Sequence, residues 1–585
     1  MNTFKKLKQF YWSHKRYFFI SIIFLIVTTA ITLVYPIVLQ KTIDDVIIAG
    51  KYDFIPFLIL AYLTLMVIKG VATYIQQYTG DMFGIIAMYK LRKRLYEKLQ
   101  FLPFRFYDNA KTGDIMSRLT ADVQGFRHFL SYGFTEVIRF ILFVGISMIV
   151  MFTYSIRLTI VTLFALPFLM VVVHKFEKKV HPAFRKVRQS FGQLNTKVQE
   201  NVSGIKTVKS LSKEDFEIER FHDFNLDFRD RNIFNSNIWA KYFPLMEFIG
   251  NICIIVLLSY GGFLVINNEL NPGELVAFYS LTGYIIMPIM NLGFIINMFS
   301  QAKASGERLL EILEEPNEIK EKENPIKHIE IKGEVTFNNV SLKYAGDEKA
   351  ALNNITFSIP SGSVVGLIGA TGSGKTSVTQ LIPRFYDVTE GEVLIDGINV
   401  KDFDFYTLRS QIGFVLQEPF LFSSTIKANI AYGKPDATME EIMDAAKRAD
   451  AHNFIMELPE GYDTLLGERG MGLSGGQRQR ISIARAICMN PKILILDDAT
   501  SAVDMETEFA IQQAMQAVMK DRTTFIIAHR ISSIKHADQI LVFEEGKIVE
   551  RGVHDELIKN GGPYERIYNI QYQDQVKILQ QAVNK

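Results

Sequence analysis

The chain has 585 residues, a net charge of +2 and a composition that is 48% hydrophobic. This length exceeds what a single hydrophobic core covers, so we expect about two or three domains. The near balance of charge argues against nucleic acid as the main partner. The two cysteines, Cys253 and Cys488, are too few for a disulfide framework and suit a reducing compartment.

Long apolar runs dominate roughly the first half of the chain. As helices that rise about 1.5 Å per residue, six of these runs have the length needed to cross a hydrocarbon core of about 30 Å. The predicted spans are Tyr17–Leu39, Phe54–Tyr74, Val137–Tyr154, Leu158–Val173, Met246–Ile266 and Leu275–Phe299. Six such runs are too many for the core of a globular protein, so we predict a membrane domain of six helices.

The distribution of lysine and arginine predicts the orientation of these helices. The segment before the first span is basic, and so are residues 75–134 and 174–242, whereas residues 40–53 contain more acids than lysines. Because basic loops stay on the cytoplasmic side, both ends of the chain are predicted to be inside. The basic, aromatic start of the chain predicts a helix on the cytoplasmic membrane surface.

The two long basic segments contain few prolines and have patterning that is compatible with helices. We interpret them as membrane helices that continue into the cytoplasm and turn back. Residues 314–332 are charged, contain Pro316 and Pro325, and are typical of a linker. Strands and helices alternate after it, which indicates an α/β nucleotide-binding domain. The predicted domains are a membrane domain (1–320), a nucleotide-binding domain (333–570) and a tail (571–585).

A glycine-rich stretch with the spacing of a P-loop follows the apolar strand SVVGLI and precedes a helical pattern. Its glycines let backbone N–H groups surround phosphates, Lys375 reaches the outer phosphates, and the Thr376 hydroxyl can bind magnesium. The predicted phosphate-binding residues are Gly369, Ala370, Thr371, Gly372, Ser373, Gly374, Lys375 and Thr376. By itself this motif indicates an NTPase and leaves kinases and GTPases open.

A second motif, LSGGQRQR at Leu473–Arg480, precedes a helical run. Its backbone amides and Ser474 therefore lie at a helix N-terminus, which suits an anion. The apolar strand KILIL then ends in Asp497, placed to hold magnesium through water. This order of motifs resembles the ATP-binding-cassette (ABC) family, whose signature is LSGGQ. The resemblance implies that Ser474, Gly475, Gly476 and Gln477 bind ATP.

The resemblance assigns roles to further residues. It implies that Tyr344 stacks on adenine and that Gln417 senses both Mg²⁺ and the attacking water. It implies that Asp504 links two cassettes and that His529 contacts the γ-phosphate of ATP. The implied ligands are ATP and Mg²⁺, with the metal held by Thr376, Gln417 and Asp497, and the implied catalytic residues are Asp498, His529 and Gln417.

The membrane half resembles ABC exporters as well. Phe106–Val123 and Glu200–Asp215 are similar to the two cytoplasmic turns of that family. The resemblance implies an all-α polytopic membrane domain with long cytoplasmic extensions, followed by an α/β P-loop cassette. One six-span region with one cassette is a half-transporter, so function requires a dimer in the lipid bilayer. Fusion of membrane domain and cassette in one chain favours export over import.

Asp498 stands where the family usually has glutamate, the acid that polarises the attacking water. Its shorter side chain withdraws the carboxylate by about 1 Å, enough to cost about 100-fold in a positioned reaction. Drift by a conservative substitution is one interpretation. The other is a heterodimer in which this chain's own ATP site is slow, as the resemblance to the BmrC-type subunit of bacterial heterodimeric multidrug exporters implies.

The expected function is ATP-driven export of amphipathic drugs or other hydrophobic compounds from the cytoplasm. A lipid or peptide exporter, and an ATP-gated channel or regulatory ABC protein, are the alternatives. Among charges in the spans, Glu247 is a candidate for a substrate or proton role. Glu136 and Arg139 lie three residues apart, so we expect them to pair on one helix face.

Overall fold

The computed structural model describes residues 2–497, 515–516 and 518–572 of the chain. Two compact units make up the molecule. The first combines Met1–Phe101 with Lys111–Glu315, and the second combines Leu102–Ala110 with the residues from Pro316 onward. The predicted domain boundaries remain predictions, although the last helix of the first unit ends at Glu314 and the first strand of the second begins at Val335.

The first unit is helical throughout, and all six predicted spans lie in long helical segments. Within the described residues, six segments are long and apolar enough to cross a membrane. They are Asn2–Ile48, Tyr52–Gln100, Thr112–Tyr154, Ile156–Ser203, Glu214–Ile266 and Pro272–Glu314. The prediction of an all-α membrane domain with six spans is therefore confirmed.

Short turns and single π-helical or 3₁₀ stretches divide these segments into eleven helices, and two short helices lie between segments. Of these two, Phe104–Asn109 belongs to the second unit. In chain order the helices are α1 (Asn2–Tyr11), α2 (Lys15–Lys41), α3 (Ile55–Gln100), α4 (Phe104–Asn109), α5 (Thr112–Ser117), α6 (Val123–His128), α7 (Phe134–Tyr154), α8 (Ile156–Leu163), α9 (Leu166–Ser203), α10 (Ile205–Ser210), α11 (Glu214–Ile266), α12 (Pro272–Met290) and α13 (Leu292–Glu314). The predicted start of the chain is indeed a helix, and Leu7 and Tyr11 of α1 are buried.

Several of these helices are much longer than a membrane is thick. The helix α3 has 46 residues and α11 has 53. At about 1.5 Å per residue they extend about 70 to 80 Å, more than twice a hydrocarbon core of about 30 Å. The short helices α4 and α10 form the turns that follow α3 and α9. The prediction that the membrane helices continue and turn back is thus confirmed.

The fourth and sixth spans are interrupted, which the apolar pattern did not predict. The sixth span breaks at Asn291, between α12 and α13. The Asn291 side-chain amide donates to the Met287 carbonyl at 3.2 Å, so a side chain competes with the helical hydrogen bonds there. Pro288, inside α12, removes a further backbone donor just before the break.

Besides α4, the second unit contains ten strands and seven helices whose two ends both lie among the described residues. The strands are β1 (Val335–Leu342), β2 (Leu352–Ile359), β3 (Val364–Gly369), β4 (Glu390–Ile395), β5 (Ile398–Asn399), β6 (Ile412–Val415), β7 (Ile493–Asp497), β8 (Thr523–Ile527), β9 (Gln539–Glu544) and β10 (Lys547–Gly552). The helices are α14 (Lys375–Leu381), α15 (Phe405–Arg409), α16 (Ile426–Ile430), α17 (Met439–Arg448), α18 (His452–Glu457), α19 (Gly475–Cys488) and α20 (His554–Leu557).

These strands form two sheets. The larger has the order β10-β9-β3-β8-β7-β6, and its β3, β6, β7, β8 and β9 are parallel. The smaller is antiparallel, in the order β2-β1-β4-β5. Strand β7 is buried along its whole length, as a central parallel strand covered on both faces must be. The predicted α/β cassette is confirmed.

The predicted linker contains neither a helix nor a long strand, yet it does not run free. Ile326 forms a bridge with Phe403, and its N–H donates to the Asp402 carbonyl at 2.7 Å. The Phe405 N–H donates to the Glu321 carboxylate at 2.7 Å. This segment is therefore bound along the surface of the second unit.

Candidate nucleotide-binding site

Four neighbouring parallel strands bring the predicted site residues to one edge of the larger sheet. In the register of the sheet, Ile527 of β8 pairs with Leu367 of β3 on one side and with Asp497 of β7 on the other. Strand β6 joins this arrangement through the pairing of Val415 with Leu496. The carboxyl ends of the four strands therefore lie side by side, which is where open α/β sheets bind ligands.

Each predicted residue follows from this register. Gly369 ends β3 and begins the phosphate-binding loop, while buried Asp497 ends β7. Gln417 lies two residues beyond β6, His529 lies two residues beyond β8, and both are exposed. The structure thus brings the loop, Gln417, Asp497 and His529 to the same edge. Asp498 and Asp504 lie outside the described residues.

The phosphate-binding loop has three glycines with a left-handed backbone, and at two of them a Cβ would also overlap a neighbour. Gly374 has a φ of +102°, and a Cβ there would lie 2.7 Å from the Ala351 carbonyl oxygen. Gly369 has a φ of +154°, and a Cβ there would overlap the Phe543 carbonyl. Helix α14 begins directly after Gly374, so its free N–H groups point into the loop.

Lys375 is folded back onto this loop. Its side chain is buried, and its Nζ donates to the carbonyl oxygens of Gly369 and Ala370 at 2.9 Å each. The ammonium therefore lies within the turn that would surround phosphate oxygens.

Two observations test whether the residues fit a nucleotide triphosphate. The Ser373 hydroxyl is buried within the loop and has no hydrogen-bond partner among the described residues. An open cavity of about 780 Å³ adjoins the loop and is lined by residues 372–377, Tyr344 and residues 545–547. A buried hydroxyl with an unused donor and a loop of backbone N–H groups beside a cavity both suit an anion. The residues present therefore fit ATP, and the hydroxyl of Thr376 and the oxygens of Gln417 and Asp497 would be the groups that hold Mg²⁺.

Tyr344 lines two cavities. Its hydroxyl donates to Ser377 Oγ at 3.0 Å, and its ring meets that of Tyr386 edge to face, with centroids 5.0 Å apart. Burial raises the pKa of Tyr344 above its ordinary value, so the phenol is neutral at physiological pH. The Tyr344 ring lines the cavity beside the phosphate-binding loop. Its predicted stacking on adenine requires this position.

A second cavity, of about 620 Å³, is also lined by Tyr344 and partly by α4. The Tyr386 hydroxyl donates to Asp108 at 2.7 Å, and the Phe104 ring stacks on Phe385 at 4.4 Å. Burial and this hydrogen bond raise the pKa of Tyr386. Sequence reasoning missed Phe385 and Tyr386. The sequence signal for these residues was an adjacent aromatic pair just after α14. This part of the chain lies outside the membrane domain, where aromatic side chains have no lipid to contact.

The signature lies at the start of another helix. Ser474 is the N-cap of α19: its Oγ accepts from the Gln477 N–H at 3.2 Å, and Gln477 Oε1 accepts from the Ser474 N–H at 2.9 Å. Gly476 is buried beneath this cap. None of Ser474, Gly475, Gly476 and Gln477 lines the cavity at the phosphate-binding loop. Within one chain, the two predicted halves of an ATP site are therefore not brought together.

Gln571 was not predicted, and it holds the backbone that carries His529. Its side-chain Nε2 donates to the His529 carbonyl at 2.8 Å, and its Oε1 accepts from the Ile531 N–H at 2.9 Å. One amide therefore fixes two positions of the loop after β8. The sequence placed Gln571 in the tail, and no motif marks it.

Other predictions concern charges in the spans and the cysteines. Arg139 donates to Glu136 at 2.7 Å on α7, so the expected pairing is confirmed. Glu247 is exposed on α11, and its substrate or proton role stays a prediction. Cys253 and Cys488 are both buried and free, as a chain without disulfides requires.

The fold and this sheet edge define an ATPase-coupled membrane transporter, and comparison with known proteins agrees. Residues 18–289 match the ABC transporter transmembrane region and residues 352–501 match the ABC transporter ATP-binding domain. The chain therefore belongs to the ABC transporters, with the half-transporter architecture of the exporters. It is a multi-pass plasma-membrane protein with a cytoplasmic cassette, and half-transporters of this type work as dimers.

Individual relatives extend over nearly the whole chain. The chain is 61% identical over 579 residues to the ABC transporter ATP-binding protein YknU of Bacillus subtilis, covering 99% of both chains. It is 38% identical to the putative multidrug export ATP-binding/permease protein YgaD of the same organism, covering 98% of this chain and 100% of the relative. It is 35% identical to the ATP-dependent lipid A-core flippase of Syntrophus aciditrophicus, covering 98% and 95%.

Among solved structures, the chain is similar to a bacterial Atm1-family ABC exporter with ATP bound. The TM-score is 0.79 at 27% sequence identity, and the match covers 95% of this chain and 98% of the other.

Proposed function

We propose that this chain is one subunit of a heterodimeric exporter that moves amphipathic drugs out of the cytoplasm at the expense of ATP. The observation that carries the proposal is the joining of six membrane helices to a cassette whose phosphate-binding loop, Asp497 and His529 share one sheet edge. The similarity to a putative multidrug export protein supports the drug class. When ATP closes the paired cassettes, the long helices would tilt and open the substrate cavity of the membrane domain toward the outside of the cell.

The chain's own groups have distinct tasks in this proposal. Lys375 and the N–H groups at the start of α14 hold the phosphates, and Tyr344 supports the base. Gln417 orients the attacking water, and His529 contacts the γ-phosphate. Bound Mg²⁺ neutralises phosphate charge during hydrolysis. The signature at Ser474–Gln477 is offered to ATP held by the loop of the partner subunit, because it does not reach this chain's own loop.

The two ATP sites of the proposed dimer are unequal. Asp498 is one methylene shorter than the glutamate usual in this family, and a carboxylate withdrawn by about 1 Å costs about 100-fold in a positioned reaction. The site built on this chain's own loop would therefore be slow. The signature of this chain is complete and would serve a fast site on the partner.

Two measurements test the function. This chain, tagged and purified from its native membrane, should carry with it a second half-transporter with glutamate after its magnesium aspartate. Inverted membrane vesicles containing the pair should accumulate a fluorescent amphipathic dye only when ATP is supplied. Recovery of this chain as an active homodimer would contradict the heterodimer, and absence of ATP-driven accumulation of any amphiphile would contradict the pump.

Lipid export is the second candidate, because the chain is also 35% identical to a lipid A-core flippase. Reconstitution with short-chain fluorescent phospholipid separates the two functions. A drug exporter should leave the lipid's leaflet distribution unchanged while it concentrates the dye. A channel or a regulatory protein would concentrate neither.

A further inference from the structure

A cavity of about 540 Å³ lies in the first unit between α9, α11 and the two halves of the sixth span. Its walls are mainly aromatic and methionine side chains, among them Phe176, Trp239, Phe243, Met246, Met290 and Phe294. A helix that enters the membrane at Leu158 needs about 20 residues to cross it, so α9 leaves the hydrocarbon near Glu177. The cavity therefore lies at the cytoplasmic boundary of the membrane.

One carboxylate lies in this largely apolar cavity. Glu177 has a side chain that is only 23% exposed, and its Oε2 lies 2.6 Å from His181 Nε2. The His181 bond fixes the orientation of the carboxylate. Among the described residues that line the cavity, Glu177 is the only acid. An acid at the edge of the membrane is costly to bury, and the bond that orients this one comes from a histidine of the same helix.

The backbone is shaped to admit this carboxylate. Glu177 packs against Gly293, two residues past the break in the sixth span. A Cβ added at Gly293 would occupy the position of the Glu177 carboxylate. Because glycine has no Cβ, Gly293 leaves free the space that the Glu177 carboxylate occupies.

The basic groups that line the cavity are His128, His181 and Arg188. His181 lies beside Glu177, whereas Arg188 lies further along the helix. Arg188 is exposed, and its guanidinium carbon lies 5.4 Å from the centre of the Phe184 ring. It follows Glu177 by eleven positions, about 16 Å further toward the cytoplasm along the helix. The membrane end of the cavity therefore has a carboxylate and aromatic walls, and the cytoplasmic end has the guanidinium.

We propose that this cavity binds lipophilic organic cations with aromatic substituents, with Glu177 as their counter-ion. The proposal rests on the proposed function as a drug exporter and names its substrate class. Aromatic rings present negative faces to a cation, and methionine side chains adapt to ligands of different shape. A permanent cation that is too bulky to form a hydrogen bond is stabilised by both the aromatic rings and the carboxylate. An anion of the same shape is repelled by the Glu177 carboxylate.

The experiment uses two probes of nearly identical shape and opposite charge, tetraphenylphosphonium and tetraphenylborate. The complete transporter complex in nanodiscs is tested by equilibrium dialysis, and inverted vesicles report ATP-driven uptake. Glu177→Gln should weaken tetraphenylphosphonium binding by about tenfold or more, since a partly buried charge pair is lost. Tetraphenylborate binding should stay the same or improve. Gly293→Ala keeps the acid but displaces it, and should give the same selective loss.

Glu136→Gln is the matched control, because Glu136 is another partly exposed acid of the first unit, paired with Arg139, that does not line this cavity. It should leave both probes unaffected, and ATP photolabelling should confirm that each variant is folded. Equal losses of both probes in Glu177→Gln, no loss of the cation, or tighter binding of the anion by the wild-type complex would overturn the inference. In those cases ATP-driven uptake by the wild-type complex still supports drug export, whereas no uptake of any amphiphile contradicts the proposed function itself.

Discussion

The cassette has two ends that are predicted to face nucleotide, and they are built differently. The loop end lies at a sheet edge, where four strands contribute separate residues and Lys375 is bound to the loop's own carbonyls. The signature end is a single helix start, already capped by the reciprocal bonds of Ser474 and Gln477. The loop end needs residues from distant parts of the chain, whereas the signature end is local and complete.

This difference determines how a substitution acts in a dimer. In the proposed dimer, a change at the loop end affects the ATP held by this chain. A change at the signature end then affects the ATP held by the partner subunit. If the two ATP sites hydrolyse at different rates, equally disruptive substitutions at the loop end and at the signature end of one chain reduce the ATPase activity of the dimer by different amounts.

The largest effect is expected at the signature end. Ser474→Arg places bulk and positive charge where ATP of the partner's loop would bind, and it should abolish most ATPase activity of the complex. Thr438→Arg is the matched control, because Thr438 caps α17 through the same reciprocal bonds with Glu441. Each change loses a cap of about 1 kcal/mol, so a fall in phosphate release confined to Ser474→Arg is due to the nucleotide. Equal losses in both would show that capping alone explains the effect.

A smaller effect is expected from Lys375→Ala at the loop end. The charge-assisted hydrogen bonds that it removes contribute about 1.5–3 kcal/mol, or about 10- to 100-fold in nucleotide affinity at this chain's own site. Photolabelling with azido-ATP, followed by separation of the two chains, should show the loss on this chain only. Overall phosphate release should fall less than after the same change in the partner. Equal and complete loss from either change would mean that both sites must hydrolyse.

The smallest structural effect is expected from Gln571→Ala. It removes two bonds to the loop that carries His529, about 1 kcal/mol each, so the backbone amides of residues 528–534 should exchange hydrogen faster. Gln571→Glu is the control: it keeps the acceptor for the Ile531 N–H but turns an oxygen toward the His529 carbonyl. In the proposed heterodimer the site served by His529 is the slow one, so turnover by the complex should change little. A large fall in ATPase activity would mean that this chain's own site is a fast one.

Much of the cassette was predictable because its chemistry is local in sequence. The phosphate-binding loop depends on glycines at fixed offsets, and Gly369 and Gly374 adopt left-handed conformations that a strand-to-helix turn requires. The sheet edge followed from parallel strands that end in polar residues. Gln571 was missed because its role arises from a tertiary contact with a loop about 40 residues earlier, and an isolated glutamine has no pattern.

The membrane half was predictable in number of spans but not in shape. Hydropathy locates apolar runs, yet it does not detect that the sixth span is interrupted at Asn291, whose side-chain amide shares the Met287 carbonyl with its own backbone N–H. Hydropathy also does not single out Glu177, whose carboxylate reaches the cavity only because Gly293 of another helix leaves room for it. Tyr386 and Asp108 were likewise separated by too much sequence for their bond to be foreseen.

Phosphate release by the purified complex carrying Asp498→Asn tests the unequal sites most directly. If this chain's own site is the slow one, as proposed, removal of this carboxylate should leave most steady-state turnover intact. The equivalent change in the acid of the partner subunit, assayed in parallel, should abolish it. Complete loss of turnover in Asp498→Asn, together with active homodimers of this chain, would contradict the account, because Asp498 would then be a working catalytic acid.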